Sequence, residues 1–279
     1  MTRRPETGGR HPGSGRFVDV LDRIVRAKRA QVARDKEQLS PRRAIELATS
    51  APPPRDFGAA LRREGRVNVI AEIKKASPSR GNIQARAAVA DIADGYARAG
   101  AAALSVLTES RFFLGSGADL AEAKRAVEVP VLRKDFVLEE YQVYESRVLG
   151  ADSLLLITRI LSSKGLSTLI GVARSLHMEP LVEVHSDDEA QQAVDSGAAV
   201  IGVNNRDLAT LGVSIENSLR IGPRLPASVV RVSESGIETR QDIERLRAAG
   251  FHAFLIGERL MREADPGAAL RDLLGGDAA

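Results

Sequence analysis

Four times along this chain a helical stretch ends at a glycine and the sequence passes at once into a short apolar strand. The copies are Gly100-Ala101-Ala102-Ala103-Leu104, Gly150-Ala151-Asp152-Ser153-Leu154, Gly197-Ala198-Ala199-Val200-Ile201 and Gly250-Phe251-His252-Ala253-Phe254, at intervals of 50, 47 and 53 residues. Glycine just past a helix takes up a left-handed conformation that other residues resist, so the repeat marks helix ends. Between the copies lie further apolar stretches, Val67 to Ile73, Val131 to Phe136, Pro180 to Val184 and Val229 to Ser233, each followed by a helical pattern. Each interval therefore holds two strand–helix units, and the whole chain holds eight. Near-continuous apolar strands such as Ser153 to Ile157 indicate a sheet covered on both faces. Strict alternation over this length predicts an α/β fold of the (β/α)8 TIM barrel type, with a doubly wound open sheet as the alternative.

The barrel is expected to run over 60–279, behind a helical extension at 15–59 and a disordered tail at 1–14. In the extension Phe17, Val20, Leu21, Ile24 and Val25 recur at helical spacing, with Arg23, Arg26, Lys28 and Arg29 on much of the opposite face. Ser50 to Pro54 breaks this helical segment from the first apolar strand. The net charge of +3 is uneven, because residues 1 to 36 hold ten Lys or Arg and four Asp or Glu. That arm lacks the aromatic and motif content of a dedicated nucleic-acid reader, so no nucleic-acid partner is expected. No Cys occurs, which removes disulfides, thiolate metal sites and Cys nucleophiles and suits a cytoplasmic location. No uncharged stretch exceeds about ten residues, against the roughly 18 or more apolar residues of a spanning helix, so no membrane partner is expected either.

In such a barrel, function gathers where strands end and loops begin. Period-two alternation places Asn68, Ile70, Glu72 and Lys74 on one face of the first strand, and this mixed face is predicted to point inward. Leu132, Lys134 and Phe136 share a face of the third strand, and Leu181 and Glu183 share one of the fifth. The sixth strand ends in Asn204-Asn205-Arg206-Asp207, the seventh in Glu234-Ser235-Gly236 and the eighth in Ile256-Gly257-Glu258. The last two junctions read as a phosphate cradle, built where backbone N–H groups serve and a side chain would obstruct approach.

A single Lys or Glu at a strand end is ordinarily a solvated rim charge. Glu72, Lys74, Lys134, Glu183 and Glu234 around one axis are different: they would be costly to bury unless paired, and such clusters shift pKa values as acid–base catalysis requires. Arg206 reads equally as a partner for an acid or as a contact to a substrate anion. Ala76-Ser77-Pro78-Ser79-Arg80-Gly81 reads as a polar turn or, from its place after Lys74, as a mobile loop over the site. On composition Phe136, Leu155 and Ile157 read as barrel core, and His185 as an incidental loop histidine. His11, His177 and His252 show no metal spacing, so no metal site is expected.

Five segments together carry a resemblance: Ala71-Glu72-Ile73-Lys74-Lys75-Ala76-Ser77-Pro78-Ser79, Leu132-Arg133-Lys134-Asp135-Phe136, Pro180-Leu181-Val182-Glu183-Val184, Ile201 to Leu208, and Ser233-Glu234-Ser235-Gly236-Ile237. In this order, on five strand ends, the chain from about residue 17 onward resembles the indole-3-glycerol phosphate synthase family. The resemblance implies conversion of 1-(2-carboxyphenylamino)-1-deoxyribulose 5-phosphate to indole-3-glycerol phosphate with loss of CO2 and water, in tryptophan biosynthesis and without a cofactor. It implies Lys134 as the acid of ring closure and assigns the remaining proton transfers to Glu72, Lys74 and Glu183, with Glu183 favoured as partner of Lys134 and Glu72 with Lys74 for dehydration. By the same resemblance Asn204 and Glu234 bind substrate hydroxyls and Arg206 and Ser77 hold anionic groups. Ser235, Gly236 and Gly257 present N–H groups to phosphate, and Phe136, Leu155 and Ile157 line the anthranilate pocket. The N-terminal helix is implied to fold over the mouth, its basic residues facing a phosphorylated, carboxylated small molecule, in a monomer or weak homo-oligomer. Glu258 departs from the pattern, since some members carry Ser there and a carboxylate would repel phosphate unless it points away. Two alternatives stay open on the residues alone: a sugar-phosphate isomerase on the same barrel, and a phosphometabolite-binding protein without turnover.

Overall fold

The computed structural model describes residues 15–77, 81–82, 88–206 and 212–276, with the side chains of 15–19, 77, 81 and 82 left outside the description. The expected tail at 1–14, and Pro78, Ser79, Arg80, Asp207 and Leu208, also lie outside the described residues. The four repeat glycines all take positive φ, +92° at Gly100, +93° at Gly150, +84° at Gly197 and +87° at Gly250. After each, the next N–H reaches back into the helix, Ala101 to the Tyr96 carbonyl, Ala151 to Ser146, Ala198 to Ala193 and Phe251 to Leu246. This double-bonded helix end aims the chain directly into the following strand.

Eight parallel strands close into a barrel in sequence order: β1 (Asn68–Ile73), β2 (Ala103–Leu107), β3 (Val131–Lys134), β4 (Ser153–Ile157), β5 (Leu181–Val184), β6 (Val200–Asn204), β7 (Val230–Glu234) and β8 (Ala253–Ile256). β8 returns to β1 with Asn68 opposite Ala253. This is a (β/α)8 barrel, and closure rules out the open sheet. Ile70, Leu132, Leu155, Leu181, Val200, Val232 and Leu255 pack inside it over Phe57 and Leu61, while Val69, Ala71 and Ile73 face the surrounding helices. The Asn68 amide donates to the carbonyls of Leu61, Arg63 and His252 and ties that end of the barrel shut. β3 stops at Lys134, two residues short of the apolar run, because Asp135 turns into a buried ion-pair network.

The extension consists of α1 (Gly15–Gln38) and α2 (Pro41–Ser50). Ser40 starts α2 by accepting the Arg43 N–H, and Pro41 occupies the first turn, where a missing N–H costs nothing. Val32 and Ala44 bury against Tyr141 of the helix after β3. Deeper along α1, Lys28 is 2% exposed and its ammonium lies 2.7 Å from Asp135. No helix among the described residues is long and apolar enough to cross a membrane.

Candidate active site

The strand ends open on a cavity of about 610 Å³ lined by Glu72, Lys74, Lys134, Glu183 and Glu234 together with Leu155, Ile157 and Phe136. The polar ends of β1, β3, β5 and β7 thus meet, as inward alternation predicts. Lys134 Nζ lies 2.9 Å from Glu234 Oε2 and 3.3 Å from Glu183 Oε2. Lys74 Nζ lies 2.8 Å from Glu72 Oε1. The lysine of β3 therefore has two carboxylate partners, and Glu234 is the nearer. Phe136 follows Asp135 on the loop and packs against Phe113 with ring centroids 6.1 Å apart. Ser77 sits in a two-stranded hairpin after β1, pairing with Gly81, its side chain undescribed.

Burial lowers the affinity of Lys134 for its proton, but Glu234, Glu183 and Glu72 outweigh that and hold the ammonium well above its usual range. Burial pushes the Glu72 carboxyl up, yet Lys74 and Lys134 bring it below the ordinary carboxylate value. Glu183 is likewise held down, burial being outweighed by Lys134 and His185. Glu234 goes the other way: burial, with Glu183 beside it, pushes it up to about 7 against the pull of Lys134. Two facing carboxylates with one lysine between them titrate as a set, and here environment drives them apart.

Two glycines make room for these carboxylates. A Cβ on Gly202 would stand 2.0 Å from Glu234 Oε1, and one on Gly257 would stand 2.4 Å from Glu72 Oε1. Gly257 is thus required bare first by Glu72, independently of any phosphate. After β7, Ser235 and Gly236 take φ of +68° and +73° in succession, a costly turn for a serine. Asn205 braces it, its side-chain amide donating to the Ser233 hydroxyl and the Ser235 carbonyl while its Oδ1 accepts the Ser218 N–H. Asn204, Arg206, Ser235, Gly236 and Gly257 all line the cavity. Among the described residues no group of three or more His, Asp or Glu is placed to hold a metal ion.

Two expectations change. Among the described side chains of α1 no basic one lines the cavity: Val20, Leu21 and Ile24 line it, and Arg23, Arg26 and Arg29 are exposed. The apolar stripe takes the buried side, and Lys28, the cation that turns inward, is spent on Asp135. His185 is not incidental, because its side chain is 7% exposed and its ring lies between Glu183 and Glu189. Glu258, whose orientation the sequence leaves open, lines the cavity and has its carboxylate 3.4 Å from Arg206. Asp135, Arg159 and Arg259 carry no signal in the sequence; the two arginines line the cavity from the 3-10 turn Thr158–Ile160 and the one-turn helix Glu258–Met261, both too short to show a periodic pattern.

Lysines and carboxylates buried in pairs at the mouth of a (β/α)8 barrel, beside a strained loop after β7, define an acid–base enzyme of the barrel class. Among solved structures, 3-hexulose-6-phosphate synthase from Salmonella typhimurium superposes with a TM-score of 0.59 at 12% identity, over 74% of this chain and 96% of its own. Thiamine phosphate pyrophosphorylase from Pyrococcus furiosus gives 0.55 at 16% identity, over 76% and 95%. At such identities these likenesses speak for the fold alone. The chain belongs to the indole-3-glycerol phosphate synthase family, whose family model matches residues 21–273. The protein of that name from Carboxydothermus hydrogenoformans is 47% identical over 261 residues, covering 91% of this chain and 99% of its own. Its counterpart from Mycobacterium avium is 47% identical over 255 residues, covering 91% and 93%.

Proposed function

We propose that the protein catalyses the reaction for which its family is named, converting 1-(2-carboxyphenylamino)-1-deoxyribulose 5-phosphate to indole-3-glycerol phosphate, CO2 and water in tryptophan biosynthesis. The observation that carries this reading is Lys134, held by Glu183 and Glu234 beside an apolar wall of Phe136, Leu155 and Ile157. An aromatic ring and a polarised carbonyl can meet there.

In ring closure the anilino ring carbon that bears the carboxylate forms a bond to the sugar carbonyl carbon. The carbonyl electron pair moves to oxygen, which takes a proton from Lys134. Glu234, poised near 7 and 2.9 Å from Lys134 Nζ, can hold a proton and pass it to the lysine once the lysine has given its own to the substrate oxygen. The carboxylate then leaves as CO2, and the bonding pair returns to the ring and restores its aromaticity. In dehydration the new hydroxyl leaves with a proton supplied by Lys74, while a ring proton passes to Glu72, its partner at 2.8 Å. Glu183 stays ionised as counter-charge to Lys134. Asn204 holds sugar hydroxyls, while Arg206 and the Ser235–Gly236 turn receive the anionic end. The substrate is a phosphorylated small molecule, and the protein works as a cytoplasmic enzyme.

Indole fluorescence tests this reading, because the chain has no Trp and its own background is low. Purified protein given the substrate in chelator-containing buffer is expected to produce one CO2 per indole formed. Binding without fluorescence would favour a phosphometabolite-binding protein, and an isomer formed without CO2 would favour an isomerase.

A further inference from the structure

Behind Glu183 the structure continues into a second line of charges that ring formation does not itself require. His185 leaves β5 two residues after Glu183, with Nε2 3.4 Å from Glu183 Oε1 and Nδ1 3.2 Å from Glu189 Oε2. Glu189 lies in the first turn of the helix Asp187–Asp195, where it also accepts the His185 backbone N–H at 2.8 Å. Arg159, from the turn after β4, closes the chain on Glu189 at 2.8 Å. The third element against this corner, the helix Glu216–Ile221, brings the neutral Asn217, whose amide donates to the His185 carbonyl. The charged groups facing the imidazole are therefore Glu183, Glu189 and Arg159.

We propose that His185 is a positioning residue for this site: as an imidazolium between two carboxylates it keeps Glu183 charged and aimed at Lys134. This rests on the reading of Lys134 and Glu183 as a working pair. Local pairing supports it. The imidazole stands between two carboxylates, Glu183, whose other cation is Lys134, and Glu189, whose other cation is Arg159. Of the two carboxyls on Lys134, Glu234 is the one pushed up to about 7, and an imidazolium beside Glu183 keeps the other ionised as an acceptor for the lysine, whereas a proton on Glu183 would weaken that hold. The geometry explains why a ring is used here. Glu189 fixes one nitrogen through an ion pair of its own, which leaves the other nitrogen fixed toward Glu183, as second partners fix ring orientation in other histidine sites. Burial works against the charged imidazole, but Glu189 and Glu183 outweigh it.

The test is the pH profile of His185→Gln, which keeps an N–H donor near the Nε2 position and cannot carry the charge. Without the imidazolium, Glu183 takes up a proton more readily as pH falls, so the acid limb of kcat is expected to move to higher pH by about one unit or more. Below that limb this is roughly a tenfold loss of rate per unit of displacement, while KM changes less. An acid limb in the same place as wild type overturns the proposal. Absence of turnover by the wild-type protein would instead overturn the reading of the reaction. A second measurement needs no variant: ring-nitrogen NMR of the intact protein. His252, whose Nδ1 accepts the Arg231 N–H and whose charging burial and Arg231 oppose, serves as internal reference. His185 is expected to be doubly protonated at a pH where His252 is neutral; loss of the His185 proton before that of His252 overturns the proposal.

Discussion

Replacing Gly202 by Ala puts the seating of Glu234 to a quantitative test. The added Cβ would stand 2.0 Å from Glu234 Oε1, 3.0 Å from its Cδ and 3.2 Å from Leu181 Cδ1, where ordinary contact begins near 3.4 Å. The carboxylate oxygen must therefore retreat by about 1.4 Å from a position that is 1% exposed. Its other oxygen is the 2.9 Å partner of Lys134, and that contact does not survive such a displacement. A hydrogen bond to a charged group is worth about 1.5–3 kcal/mol, and overpacking a dense core costs about 1–3 kcal/mol more. Gly202→Ala is thus expected to lose about 2.5–6 kcal/mol of stability in urea melts. If Glu234 holds Lys134 in its working position, kcat falls by roughly 10- to 100-fold at about 1.36 kcal/mol per decade. The control is Gly171→Ala in the helix Ser163–Ser175, where an added Cβ meets nothing within 4 Å. There the change is expected to stabilise by about 0.5–1 kcal/mol and leave kcat alone. A folded Gly202→Ala enzyme with wild-type kcat would refute the argument that this carboxylate must sit where it does.

Lys28→Met leaves Asp135 buried with Arg133 and Thr108 but without its ammonium; about 3 kcal/mol is expected to be lost in urea titration, and an unchanged midpoint would mean that α1 is not anchored there. Glu258→Ser frees Arg206 from its 3.4 Å partner and removes a negative charge from the cavity, so KM for the phosphorylated substrate is expected to fall by roughly three- to tenfold, about 1 kcal/mol, and a risen KM would contradict this. Burial opposes the charge on Glu189, but hydrogen bonds from His185 and Arg159 bring it to about 2 from an ordinary 4.5. A depressed carboxylate stabilises the fold fully above its unfolded value and loses that contribution as pH falls toward its folded one. The stability gap between wild type and Glu189→Gln is therefore expected at neutral pH and to narrow between pH 4.5 and about 2, whereas a gap constant through that window would contradict the ion-paired state.

The barrel was legible because it rests on local rules: four glycines at helix ends and the alternation that turns Glu72, Lys134 and Glu183 inward. What the sequence hid depends on contacts far apart in the chain. Nothing near His185 announces Arg159, since the link runs through Glu189 and joins a turn after β4 to the helix after β5. The pairing of Lys28 with Asp135 joins α1 to the loop after β3, and a basic helix face gives no sign that one of its lysines turns inward. The nearer partner of Lys134 proved to be Glu234, a distance that alternation cannot supply. Gly257 reads in sequence as part of a phosphate cradle, but it is the closure of β8 on β1 that brings Glu72 into the space beside it.

Lys134→Met tests the central claim most directly, with kcat followed by indole fluorescence and substrate affinity measured separately by calorimetry. A general acid contributes about 10²- to 10⁴-fold, so kcat is expected to fall by that factor while Kd changes by less than about tenfold. A variant that keeps kcat within a fewfold of wild type would contradict the assignment of ring closure to this lysine.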